Sequence, residues 1–447
     1  MKNKIFYGFG GLSYSIISQT ITNFFMFFAT SVVGVSGTLV GVAIAIRTIW
    51  DGISDTLIGH LSDNYSIIGM GRRNGYMLIA TIGMTIFNLL LWCIPLNITP
   101  FLKFIWITIA LLLLETFNTM FSTPHSALCN ELVSDYHERT KMGASSTIFY
   151  LIGIIIPSIL LVVFLPNTQE YPVGQLNPNG YRKIAFVTSI ICLIFGLICS
   201  LFARNRELAR DNKKGKTKFK IFSSFVSVFK DKRLKKILFG YVLTSIATVF
   251  LCSVGLHFFT YSFFYQSSQI TALLLTLILG TIASQPLWVM ISRKIKKKLS
   301  LLIGVFITII AVFAVIVVYL FRIELYEISF YLMLVAILIC GFGSGALYNL
   351  PTSMYRDVVS DICKGGDNLN ATYSGVLTFA SNMANSITQL LVGVMLDVVH
   401  FDSSLQVQSL SVQTALSLIL FVGVQASLIL AFLIFAGYKE IIRKETK

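Results

Sequence analysis

The chain has 447 residues, of which 55% are hydrophobic and only 12% charged, and its mean hydropathy is +0.78. A soluble domain carries about 25% charged residues, so this composition excludes a water-soluble globular fold. The net charge of +15 would suit a nucleic-acid partner only if the basic residues clustered on a soluble surface, and they lie instead in the short segments between apolar runs.

Apolar stretches of spanning length occur at 5–33, 37–61, 75–96, 101–128, 143–165 and 183–203. After a basic interruption come 237–264, 269–292, 299–321, 326–350, 372–396 and 411–438. Each is long enough to cross a hydrocarbon core of ~30 Å. The first resembles a signal peptide only in its leading Lys2 and Lys4; it is too long and has no small-residue cleavage site. With both termini on one side, only Arg47, Lys103, Arg182, Lys183 and Arg322 of the 35 basic residues fall outside that side's loops and ends. The positive-inside rule makes that side the cytoplasm. The predicted fold is therefore an all-α membrane protein of twelve transmembrane helices in two six-helix bundles, with both termini cytoplasmic. Residues 1–203 form the first bundle and 237–447 the second. Between them, 204–236 form a basic linker in which Phe222, Phe225, Val226 and Phe229 recur at the spacing of a helix lying on the membrane surface. The seven cysteines form no C-x-x-C pair and the five histidines show no metal-ligand spacing.

The second span carries Arg47, Asp51 and Asp55 at steps of four, which places all three on one helix stripe. Charge at bilayer depth costs several kcal/mol unless paired, so the stripe must face the protein interior, where it suits a cation. Span four adds Glu115, one turn before Thr119, as either a proton-bearing acid or a direct ion ligand. Acids and bases at the cytoplasmic helix ends read as gates of alternating access: Asp63 with Arg72 and Arg73, Arg139 beside Glu131 and Glu138, and Arg356 with Asp357.

These residues carry a family resemblance. Gly59 and Asp63 followed by Gly71, Arg72 and Arg73 resemble the loop motif of the major facilitator superfamily, with an insertion. Tyr7 to Gly11, Arg47, Trp50, Asp51, Ser54, Asp55, the stretch from Asp135 to Thr140 and that from Asp357 to Asp361 resemble the glycoside–pentoside–hexuronide:cation symporters, the melibiose-permease-like family. That resemblance implies a Na⁺, Li⁺ or H⁺ site at Asp51, Asp55, Ser54 and Thr119, with Ser54 where the family has Asn. The positions that hold sugar in the family are here Ser15, Ser122 and Thr147, and a span-eleven lysine becomes Ser381, so the pocket is rebuilt from neutral groups.

Candidate substrate ligands are Ser15, Gln19, Asn23, Ser122, His257, Tyr261, Asn349, Tyr373 and Ser381. The expected activity is symport of a small organic solute with Na⁺ or H⁺, with sugar or glycoside as the leading substrate. A lysolipid carrier and a proton-coupled exporter of drug or peptide are the alternatives. The expected protein is not an enzyme, carries no cofactor, binds no nucleic acid, and works as a monomer in a bacterial cytoplasmic membrane.

Overall fold

The computed structural model describes residues 2–67, 70, 73–133, 135–203, 231–325, 328–362 and 370–439. Arg72 and residues 204–230, which include the surface helix expected in the linker, lie outside them. Twelve long helices are present among the described residues. They are α1 (Lys2–Phe27), α2 (Gly37–Asn64), α3 (Asn74–Trp92), α4 (Pro100–Leu132), α5 (Tyr136–Phe164) and α6 (Pro178–Phe202). The second set is α7 (Lys232–Tyr261), α8 (Ser267–Ile295), α9 (Lys297–Leu320), α10 (Ser329–Ile362), α11 (Asn370–Val398) and α12 (Leu410–Ala436).

Their starts follow from local chemistry. Thr99 caps α4 with Pro100 just inside, and Asn177 caps α6 with Pro178 in the same position. Asp135 accepts the Glu138 amide at 2.9 Å to start α5, and Asp231 accepts the amides of Arg233 and Leu234 to start α7. Pro124, Pro157, Pro286 and Pro351 sit inside α4, α5, α8 and α10. Packed membrane helices tolerate such prolines because neighbours satisfy the freed carbonyls.

Nine of the helices are long and apolar enough to cross a membrane. The other three, α1, α2 and α11, have 26, 28 and 29 residues and so do not lack length. Each carries polar groups along its span: α1 bears Ser13, Ser15, Gln19 and Asn23, α2 the charged stripe, and α11 Ser381, Asn382, Asn385 and Gln389.

The chain divides into two compact units: Met1–Gly215 with Gln266–Thr271 and Gln389–Val412, and Lys216–Tyr265 with Ala272–Thr388 and Gln413–Lys447. In the first, α1 packs on α5 and α6, α3 on α4 and α6, and α2 on α4. Tyr7 stacks on His125 at 4.2 Å, and His125 Nε2 lies 2.9 Å from the Tyr7 carbonyl. The α1–α5 seam is close: a Cβ on Gly11 would sit 2.4 Å from the Ser146 carbonyl oxygen. In the second unit, α10 packs on α9 and α7, and Trp288 donates to the Phe342 carbonyl at 2.7 Å.

Gly11→Ala forces a methyl against backbone that cannot swing aside, so a loss of about 1–3 kcal/mol is expected. Gly143 lies in α5 with nothing within 4 Å of its would-be Cβ, and Gly143→Ala is expected to stabilise by roughly 0.5–1 kcal/mol through helix propensity. Thermal unfolding of the two purified variants should shift in opposite directions.

Candidate cation-binding site

The first unit sets the α2 stripe against a ladder of threonines on α4. Arg47 Nε is ion-paired with Glu115, and Asn118 Nδ2 donates to the other Glu115 oxygen at 3.0 Å. Glu115 is 4% exposed, so its charge is matched by Arg47 and hydrogen-bonded besides, as a charge in low dielectric requires. One turn along, Trp50 Nε1 donates to Thr116 Oγ1 at 2.8 Å and fixes the register of the two helices.

The two acids of the stripe are hydrogen-bonded to hydroxyls. Thr119 Oγ1 donates to Asp51 Oδ1 at 3.3 Å, and Ser54 Oγ donates to Thr119 Oγ1 at 3.2 Å. Thr123 Oγ1 donates to Asp55 Oδ1 at 3.1 Å. Ser54 and Thr119 are buried, Asp51 is half-buried, and Asp55 is open on one side. One arginine and three carboxylates make up the cluster, and Asp51 and Asp55 lie among three hydroxyls, all oxygen donors. A hard monovalent ion prefers such donors. Asp51, Asp55, Ser54 and Thr119 are thus brought together, and Arg47 and Glu115 are brought beside them as a pair. Thr123 completes the set and did not emerge from the sequence reading. Its signal was the spacing: Thr116, Thr119 and Thr123 recur at three and four residues, opposite a stripe of the same period.

Candidate substrate residues fall into several settings. On α1, Gln19 Nε2 donates to Asn23 Oδ1 at 2.9 Å, and both are half-buried. Ser15 is enclosed in the α1–α5 seam, where a Cβ on Gly153 would lie 1.9 Å from its hydroxyl. Ser122 is half-buried on α4, where its carbonyl accepts from the Ser126 hydroxyl at 2.9 Å. In the second unit His257 and Tyr261 are fully enclosed, Tyr373 and Ser381 are buried, and Asn349 is exposed with its amide on Gln285 at 3.1 Å.

The charged helix ends form networks within each unit. Arg73 joins Asp63, Glu131 Oε1 at 3.0 Å and Ser62 Oγ at 2.8 Å. Asp357 pairs with Lys297 at 2.5 Å rather than with its neighbour Arg356, which is exposed; Lys297 also donates to Ser353 at 2.9 Å. A base at the start of α3 meets an acid at the end of α4, and a base at the start of α9 meets an acid at the end of α10, an internal repetition. Arg139 donates to the Val133 carbonyl at 3.4 Å.

The family described as "MFS/sugar transport protein" matches residues 6–439. The chain belongs to this family. Among its relatives is the sodium-dependent lysophosphatidylcholine symporter 1 of Xenopus tropicalis, 21% identical over all of this chain and 89% of that one. The isoprimeverose transporter of Lactiplantibacillus pentosus is 22% identical over 67% of this chain and 60% of its own length. An uncharacterized symporter of Synechocystis is 29% identical, but over 44% of this chain and 36% of that one. The fold is shared with crystal structures of a nucleoside transporter, at TM-score 0.70, 12% identity and coverage of 98% and 100%, and of a D-xylose-proton symporter, at TM-score 0.66, 14% identity and coverage of 99% and 98%.

Glu115→Gln removes the direct ion-pair partner of Arg47 in a largely enclosed site and leaves it only the carboxylates farther along the stripe, for which a destabilisation of about 1–3 kcal/mol is expected. The double replacement Arg47→Met with Glu115→Leu is expected to cost less, because both members of the ion pair are removed together. Unfolding of both variants under the same detergent conditions checks the difference.

Proposed function

We propose that this membrane transporter is a cation-coupled symporter that takes up a small neutral solute together with Na⁺ or H⁺ at the α2–α4 cluster. The observation that supports the reading is the pair of carboxylates, Asp51 and Asp55, set one turn apart among the hydroxyls of Ser54, Thr119 and Thr123, in a cluster of three acids and the arginine Arg47 that is ion-paired with Glu115. Two such carboxylates repel one another when the site is empty, and a bound cation or proton relieves that repulsion. A conformational change that follows loading is then easier with the ion present, which is the energetic content of symport. Twelve spans with cytoplasmic termini and two six-helix bundles, 1–203 and 237–447, complete the proposal, in a bacterial cytoplasmic membrane. Asp63 with Arg73, and Asp357 with Lys297, act as the cytoplasmic gates.

Sugar or glycoside is the favoured substrate class. Its support is the family's description and the uncharged wall of α1, where Gln19 and Asn23 offer amide groups that hydrogen-bond hydroxyls without demanding a charged partner. A lysolipid is the second reading, favoured by the lysophosphatidylcholine symporter matched along this whole chain.

The test is the melting temperature of the purified protein with isoprimeverose, xylose, uridine and lysophosphatidylcholine, each in Na⁺ and in choline at two pH values. A ligand that binds the folded state raises the melting temperature by mass action. One solute is expected to bind about 5–150-fold more tightly with its coupling cation, the usual range of coupling free energies. In Asp55→Asn that enhancement should vanish. Equal shifts with and without cation at both pH values would contradict symport.

A further inference from the structure

The start of α2 is held by more than its own cap. Ser36 accepts from the Leu39 amide at 3.4 Å, longer than a good hydrogen bond, and its hydroxyl donates to Asp397 Oδ2 at 2.9 Å. Asp397, at the end of α11, also accepts the Gly37 amide at 2.7 Å on Oδ1 and the Thr38 amide at 2.8 Å on Oδ2. One carboxylate, contributed from some 360 residues away, thus satisfies two of the four amides that a helix start leaves without partners. Its negative charge sits on the positive end of the α2 dipole.

Glycines make that reach possible. A Cβ on Gly37 would lie 2.4 Å from the Gly393 carbonyl oxygen, and one on Gly393 would lie 2.1 Å from the Gly37 carbonyl oxygen. A Cβ on Gly41 would lie 2.9 Å from Leu390 Cα. Backbone therefore meets backbone along the stripe. A cavity of about 420 Å³, lined in part by Thr30, Gly34, Ser36, His400 and Ser403, opens beside Asp397. Water in that cavity can take over the carboxylate's hydrogen bonds, so the contact can part without leaving buried groups unsatisfied.

Two further features distinguish the contact from an ordinary cap. Residues 370–388 of α11 belong to the second compact unit, while 389–412 are grouped with the first. The helix being capped is also the one that carries Asp51 and Asp55, ~21 and ~27 Å further along at 1.5 Å per residue.

We propose that Asp397 is a releasable latch on α2: its carboxylate holds the Ser36, Gly37 and Thr38 groups in one state of the transport cycle and releases them in another. α2 then couples the latch at its start to the cation site in its middle. The purpose assigned to the latch rests on the transport reading above; its opening can be measured without any solute.

The measurement uses Ile44→Cys in the full-length protein in nanodiscs. Ile44 is one turn beyond Gly41 and 5% exposed, and modification by a soluble methanethiosulfonate is read by mass on the peptide containing residue 44. If the latch opens, Asp397→Ala should speed modification at least tenfold. Asp397→Asn, which keeps the side chain's shape and one acceptor oxygen, should speed it by a smaller factor and serves where the alanine variant is unstable. A disulfide between Ser36→Cys and Asp397→Cys, confirmed by mass, should stop modification, and reductant should restore it. An unchanged rate in both Asp397 variants, or modification at the wild-type rate through an intact disulfide, would show a static cap and overturn the proposal. Failure of the two cysteines to pair would overturn the contact itself. None of these outcomes bears on the solute-binding test, so a failed latch leaves the symport reading standing.

Discussion

Charge inside a low-dielectric span is the constraint on which the rest of this molecule depends. An unpaired ionised group at bilayer depth costs several kcal/mol, more than a single substitution usually costs a folded protein. α2 nevertheless carries Arg47, Asp51 and Asp55 on one stripe, and α4 answers it group by group: Glu115 pairs with Arg47, Thr116 holds Trp50, Thr119 donates to Asp51 and Thr123 to Asp55. The answer is deliberately incomplete. Three acids stand against one arginine in the cluster, so the helix pair is stable enough to fold yet short of positive charge.

That shortfall connects site to movement. A hydroxyl lowers the energy of a nearby carboxylate but does not cancel its charge, whereas a cation does. Loading therefore changes the electrostatics of α2 as a whole. The same helix is gripped at both ends by groups that water can replace: Asp397 at its start, and Arg73 against Asp63 at its close. In the proposed cycle, a helix with a charge-sensitive middle and replaceable contacts at its ends would transmit a local event over its length. The second unit repeats the base-to-acid contact in Lys297 with Asp357.

Much of this was legible in the sequence because the physics is local. Spanning length and the four-residue period of the α2 acids are one-dimensional signals; Thr119 came through the family resemblance, and Glu115 through its spacing of one turn from Thr119. Thr123 was harder to see, since threonine is common in membrane helices and only its spacing from Thr119 marks it. Lys297 was hidden within a basic run at 296–298 that reads as a topology signal, and the fold selects it for Asp357 over the adjacent Arg356. Asp397 was invisible: an acid at the end of a span looks like a solvated terminus until the first loop is brought against it. Ser15 illustrates the reverse case, a polar residue at a family binding position whose surroundings here are filled by the approach of Gly153.

The central claim is that Asp51 and Asp55 hold the ion that drives the solute. Its most direct test is the charge displaced when solute is added to reconstituted protein on a solid-supported membrane. In wild-type protein, the solute that stabilises the fold should evoke a current that depends on Na⁺ or on pH. In Asp51→Asn that current should vanish while the protein remains folded. A solute-evoked current of undiminished size in Asp51→Asn would place the coupling ion elsewhere and contradict the account.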